Sequence, residues 1–249
     1  MEVHAHTHTP RKKWTHYFWE FLMLFLAVFC GFLAENFREH QIEHKREKQY
    51  IRSYLEDLKT DTTNLGLLSL TNKIIIQELD SLLFYYDEFA TGRCSPGFTK
   101  YSSGLNGFIE FNYTDRTIQQ LKNSGGMRLI RKQTVSDSII QYDVMVREQL
   151  LQEEALNRLF ELTSNNYIEL FNLAIFEKEM NKNQQNPELL AKNKDLDLLL
   201  THDKQKIGSL FHYMSIYKST IEGKRQSALR LKRQAERLIT YLEKEYHLK

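Results

Sequence analysis

The chain has 249 residues, with 34 Lys and Arg against 32 Asp and Glu and a net charge of +2. So even a balance gives no footing for recognition of nucleic acid. The two cysteines, Cys30 and Cys94, fall in an apolar run and a turn and are not expected to pair within the chain, so no disulfide framework is predicted. An intermolecular bridge through Cys94 stays open if that side is oxidising. There are three prolines, and six of the ten glycines lie between Gly92 and Gly126, which predicts long helices interrupted by one irregular region.

Residues 1–13 read as a flexible basic tail in which His4, His6 and His8 alternate with small and apolar residues. An imidazole run can bind a transition metal, but no cysteine or carboxylate cluster completes a site here. Residues 14–34 read as a membrane anchor. From Leu22 to Ala34 no side chain is charged, and Tyr17–Ala34 would span about 27 Å at 1.5 Å per residue. Trp14, Tyr17 and Trp19 suit the headgroup level, and Arg11, Lys12 and Lys13 precede the span. Phe32-Leu33-Ala34 lacks the small-x-small pattern of a cleavage site, and Phe29 stands before Cys30 where a lipoprotein signal needs a small residue. The segment is therefore expected to be an uncleaved, single-pass signal anchor. The basic triplet favours a cytoplasmic N-terminus and a periplasmic C-terminal domain, although the more distant Arg38, Lys45, Arg46, Lys48 and Arg52 argue for the reverse.

Glu20 is an acid at the edge of this span, and an intramembrane carboxylate is by default a functional hypothesis. One span with an acid near its start, followed by a large domain, has the topology of single-span stator subunits of ion-driven motors. The alternative is that Glu20 reaches back to the interface beside Trp19. Ala27 and Gly31, four residues apart, form a small face on which two spans can approach.

Residues 35–49 form a charged juxtamembrane helical stalk, with Glu35–Arg38 and Glu43–Arg46 at helical spacing. His40-Gln41-Ile42-Glu43-His44 matches the inverted zincin pattern, in which two histidines on one helix face hold zinc beside a glutamate base. A zinc-dependent hydrolase at His40, Glu43 and His44 ranks last among the readings, because the match lies in a solvated stalk without a cleft or third ligand. No other catalytic motif occurs, so no catalytic, cofactor-binding or metal-holding residue is assigned and no cofactor is expected.

Residues 50–249 predict an all-α bundle with an irregular loop at 91–113. Ile51, Leu55, Leu58, Leu65, Leu68, Ile75, Leu79, Leu82, Leu83 and Tyr86 recur at three and four, which predicts one helical face ending near Phe89, with a bend where Thr60–Thr63 and Gly66 fall. Cys94-Ser95-Pro96-Gly97 is turn chemistry. Phe98, Tyr101, Phe108, Phe111 and Tyr113 are too apolar to stay in water, so the loop is expected to pack on the bundle or a partner. Asp115 predicts the cap of a short helix that Gly125 ends, and Thr134 or Ser136 the cap of a helix from Val135 to about Glu179. Ile139, Tyr142, Val146, Leu156, Ile168, Phe171 and Ile175 belong to its expected apolar face. Asn186-Pro187-Glu188 reads as a helix start. A last helix from about Thr201 to Tyr246 carries Leu210, Met214, Tyr217, Ile221, Leu231 and Leu238 inward. Its basic cluster of Lys224, Arg225, Arg230, Lys232, Arg233 and Arg237 is expected to be a solvated face, with anionic lipid or an acidic partner as the other reading.

Several segments carry a resemblance. They are Met1-Glu2-Val3-His4, Tyr17-Phe18-Trp19-Glu20-Phe21-Leu22-Met23, Phe25-Leu26-Ala27-Val28, Gly31-Phe32, Ala34-Glu35-Asn36 and Lys45-Arg46-Glu47. Together they resemble an uncharacterised family of single-span, N-terminally anchored helical membrane proteins from Bacteroidota. Leu121-Lys122-Asn123-Ser124-Gly125 with Arg128-Leu129-Ile130 is similar to a segment in related membrane proteins of that phylum. The resemblance is specific over the first 60 residues and looser beyond. It implies a Gram-negative inner membrane and a helical extramembrane domain, and it brings no activity.

The expectation is thus an all-α protein: one N-terminal transmembrane helix that continues into a stalk and an antiparallel bundle of three or four long helices. The leading function is a membrane-anchored scaffold or sensor-like interaction protein of the cell envelope, without catalysis. Its partners would be the lipid bilayer and a second copy or other membrane proteins. An accessory subunit of an ion-driven motor or transport complex using Glu20 is the alternative.

Overall fold

The computed structural model describes residues 13–91, 96–105, 107, 109–183, 185–186 and 197–248. The chain divides into two compact units, Met1–Tyr50 and Ile51–Lys249. Helix α1, Trp14–Leu83, runs through both without a break. It contains no proline, and its only glycines are Gly31 and Gly66. Where a bend is expected the helix continues, with the Thr60, Thr62 and Thr63 hydroxyls donating to carbonyls of their own helix. The helix stops earlier than its apolar period suggests. A turn at Phe84–Tyr85 separates it from the short α2, Tyr86–Ala90. A 3-10 segment Pro96–Leu105, helix α3 (Arg116–Asn123), α4 (Gln133–Leu170), α5 (Leu173–Lys182) and α6 (Lys204–Glu245) follow.

In the second unit the protein is an all-α bundle built on three long helices. Ion pairs fix their directions. Lys59 Nζ lies 2.8 Å from Glu243 Oε1 and Lys218 pairs with Asp80, so α6 runs antiparallel to α1. Lys206 Nζ meets Glu169 at 3.2 Å while Thr134 Oγ1 meets Tyr241 Oη at 2.8 Å, so α6 is antiparallel to α4 as well. Consequently α1 and α4 are parallel, and Tyr142 on α4 donates to Asp61 on α1 at 3.1 Å. Parallel neighbours cannot be joined by a tight turn, which is why the described residues between 84 and 132 belong to a long crossover from α1 to α4.

Apart from Phe211, the buried positions of α6 from Leu210 onward alternate four and three: Leu210, Met214, Tyr217, Ile221, Lys224, Ala228, Leu231, Ala235, Leu238 and Leu242. Buried residues of α1 and α4 keep the same register, which is the heptad pattern of coiled-coil packing. Leu82, Phe89, Phe98, Leu170, Phe171, Leu210 and Phe211 join in the core away from the Ile51 end.

Several boundaries differ from expectation. Helix α4 ends at Leu170, not near Glu179, because Phe171 turns extended and joins an isolated bridge with Leu199; Asn172 then caps α5 by accepting from Ile175 N at 3.1 Å. Ile175 therefore leaves the α4 face, and Ile168, one position past the core residue Tyr167, is exposed. Neither Thr134 nor Ser136 caps α4. Lys132 occupies that position, and Thr134 turns to Tyr241 instead. Among the described residues no strand occurs, and 109–113 has no regular secondary structure. Phe108, Cys94 and the helix start expected at Asn186-Pro187-Glu188 lie wholly or partly outside the described residues.

Gly125 follows α3 with φ +66°, the left-handed conformation expected of a helix-ending glycine. Gly125→Ala is expected to destabilise the bundle by about 1 kcal/mol, seen as a lower thermal midpoint, since an L side chain strains there.

Candidate functional site

In the first unit the residues singled out in the sequence lie on one exposed helix. Glu20 Oε1 stands 3.0 Å from His16 Nε2, one turn back toward the basic tail. Trp14, Phe18 and Trp19 are neighbours at that end, and the rings of Phe21, Phe25 and Phe29 stack in series with centroids 6.3 and 5.9 Å apart. This stretch is long and apolar enough to cross a membrane, and none of its apolar window is buried. Ala27 and Gly31 are exposed, and a Cβ added at Gly31 would meet nothing within 4 Å. His40 faces Glu43 at 3.8 Å, whereas His44 faces Glu47 at 3.3 Å, so the two imidazoles join separate carboxylates. Among the described residues no group of three His, Cys, Asp or Glu is placed to hold a metal ion. His4, His6 and His8 lie outside the described residues.

The second unit holds a site that the sequence reading passed over. Asp57, Asp61, Glu153 and Lys224 are all buried. Asp61, Glu153 and Lys224 supply hydrogen-bond partners to backbone groups of an irregular strap, residues 109–115. The strap has no sheet neighbour, so side chains of the bundle supply them. Lys224 Nζ donates to Ile109 O at 3.2 Å, and Glu153 Oε1 accepts from Phe111 N at 2.8 Å. Asn64 Nδ2 donates to Asn112 O at 2.8 Å, and Asp61 Oδ1 accepts from Thr114 N at 2.9 Å. Beyond the strap, Asp57 Oδ2 accepts from Thr117 N at 3.0 Å. Asp57 thus caps α3 from another helix, in the role expected of Asp115, whose own side chain makes no capping bond.

Lys224 is therefore not part of the solvated basic face. It occupies a core heptad position, 2.9 Å from Glu153 Oε1. Burial pulls its pKa down, and the facing Glu153 carboxylate offsets part of that. The neighbouring basic residues do reach outward: Arg225 pairs with Glu222, Arg230 donates to Ser227, and Arg233 and Arg237 are exposed.

Nearer the Ile51 end, Asp57, Asp61 and Asp143 come together with Tyr54, Tyr113 and Tyr142. Arg116 Nη2 meets Asp57 at 2.8 Å, and Asp143 receives Lys122 at 2.6 Å and Arg147 at 3.3 Å. Asp61 is bound by neutral donors, the N–H and hydroxyl of Thr114 and the Tyr142 O–H. Burial raises its pKa from the ordinary 3.8 to about 6, against the lowering effect of those hydrogen bonds. Burial likewise keeps the three phenols neutral, and the Tyr54 and Tyr113 hydroxyls have no hydrogen-bond partner among the described residues.

One signal in the sequence marks these groups. Asp61, Glu153 and Lys224 continue the four-and-three alternation of the apolar residues around them, so they point inward despite their charge. Comparison of the chain with protein-family models, with curated proteins and with solved structures finds no match.

Proposed function

We propose that this is a non-enzymatic, membrane-anchored interaction protein of the cell envelope. Residues 14–34 would hold it in the inner membrane, and the bundle would stand on the periplasmic side as a scaffold or sensor-like domain. The observation that carries this reading is the single helix α1, which passes from an exposed apolar stretch directly into the bundle core. A second observation supports interaction over catalysis. The buried charged groups Asp57, Asp61, Glu153 and Lys224 bind the protein's own backbone. A third supports binding to a partner or a second copy: Leu67, Leu70 and Ile74 lie at spacings of three and four on α1 and face water.

The test combines fractionation with labelling. Ser219, exposed on α6, is replaced by cysteine in a chain whose Cys30 and Cys94 are serine. The protein is expected in the membrane pellet after alkaline extraction. Ser219→Cys is expected to react with a membrane-impermeant thiol reagent when only the outer membrane has been opened. Recovery in the soluble fraction would refute the anchor. Labelling only after lysis would place the bundle in the cytoplasm.

A further inference from the structure

We propose that the Asp61 carboxyl group is a proton-operated clasp on the strap and the start of α3: protonated, it holds Phe111–Thr117 closed on the bundle; ionised, it loosens them. Geometry makes the case. The carboxyl sits between the strap, through Thr114 N–H, and α4, through Tyr142 O–H, so its state is felt by both. The charged and titratable groups around it come from every neighbouring element. On α1 these are Asp57 and Tyr54; on the strap, Tyr113 and Asp115; on α3, Arg116 and Lys122; on α4, Tyr142, Asp143 and Arg147. Helix α6, placed at this level by the Lys59–Glu243 pair, brings the apolar Leu238 and Leu242 to the core. The three cations are engaged by Asp57 and Asp143, so the Asp61 charge is disfavoured chiefly by burial, with a smaller repulsion from Asp57.

Protonation removes the cost of burying that charge while the hydrogen-bond partners stay in place. A neutral carboxyl still accepts the Thr114 N–H through its carbonyl oxygen and still shares a hydrogen bond with the Tyr142 hydroxyl. Opening the strap would let water reach an ionised Asp61, so charge favours the open form. The sign follows from linkage. Asp61 titrates near 6 when closed and near 3.8 when solvated. The stabilisation of the closed form is fully present below 3.8 and is lost as the pH rises through about 6. Between pH 5 and pH 7.5 this amounts to roughly a tenfold increase in the opening equilibrium.

Amide hydrogen exchange of peptides covering residues 109–117 tests it, on the full chain in lipid nanodiscs. Protection is compared at pH 5 and pH 7.5 after division by intrinsic exchange rates. The wild-type strap is expected to open roughly ten times more readily at pH 7.5, and Asp61→Asn to remove the difference. Equal pH dependence in both proteins overturns the proposal. Tyr142→Phe gives an independent test should the first variant fail to fold. Losing a donor to the carboxylate moves the midpoint of the pH response upward, and an unmoved midpoint excludes Asp61 as the group responsible.

Discussion

Replacement of Lys224 by methionine is expected to destabilise the bundle by about 3–5 kcal/mol, which for a domain with a total stability of about 5–15 kcal/mol is close to the difference between folded and unfolded. Methionine roughly preserves the volume of the lysine stem, so the loss measures charge and hydrogen bonding more than packing. Lys224 is 2% exposed and Glu153 7%. Without the ammonium, Glu153 keeps a buried negative charge held by the Phe111 N–H, and Ile109 O loses the donor it has in the native protein. Breaking such a pair from one side is costly because the survivor cannot be hydrated, whereas removing both charges is often close to neutral. The double variant Lys224→Met with Glu153→Gln is therefore expected to recover more than half of the loss, since glutamine still offers an oxygen to Phe111 N. Chemical denaturation of the three proteins at neutral pH checks both statements. A single-variant loss below about 1 kcal/mol would mean that water reaches the pair, as at a surface ion pair.

The same residues show what was legible in the sequence. The three long helices were, because Ile51, Leu58, Leu65, Leu79 and their counterparts in α4 and α6 repeat at helical spacing and are buried as that spacing requires. The apolar stretch before the stalk was legible from composition alone. The strap was not. Its conformation has no period of its own, and its backbone partners lie 42 residues away at Glu153, 53 at Asp61 and 115 at Lys224. Such bonds depend on the register between helices, which short-range pattern does not carry. The polar core residues were misread for a related reason. Charge argues for a solvated face, whereas heptad position argues for the core, and at Lys224 position prevails because the strap supplies a carbonyl and α4 a carboxylate. The end of α4 shows a third kind of limit: Asn172 is a cap-forming residue, but Leu170 and Phe171 do not break a helix, and the turn there accompanies the pairing of Phe171 with the distant Leu199.

Truncation of Phe98 to alanine is expected to cost about 3–5 kcal/mol, although it lies in the crossover and outside every long helix. The sequence gives one reason, that so many aromatic residues between 98 and 113 would be unfavourable in water. The structure gives the magnitude. Phe98 is 0% exposed, and its ring lies 4.8 Å from Phe89, 5.1 Å from Phe171, 5.9 Å from Tyr85 and 6.4 Å from Tyr167, centroid to centroid. These rings come from α2, from the turn before it, from the end of α4 and from the residue that follows it, so one side chain ties the 3-10 segment to both the start of the crossover and the end of α4. Aromatic pairs at such distances add about 0.5–1.5 kcal/mol each beyond the area they bury. Phe84 is the internal control. It is 86% exposed at the end of α1, and Phe84→Ala is expected to change stability by no more than about 0.5 kcal/mol. Thermal and urea unfolding of both variants separates the cases. A large loss at Phe98 with little at Phe84 assigns the crossover to the core. Comparable small losses would mean that the 3-10 segment detaches without unfolding the bundle, and amide exchange over Pro96–Leu105 would then rise well above that of α6.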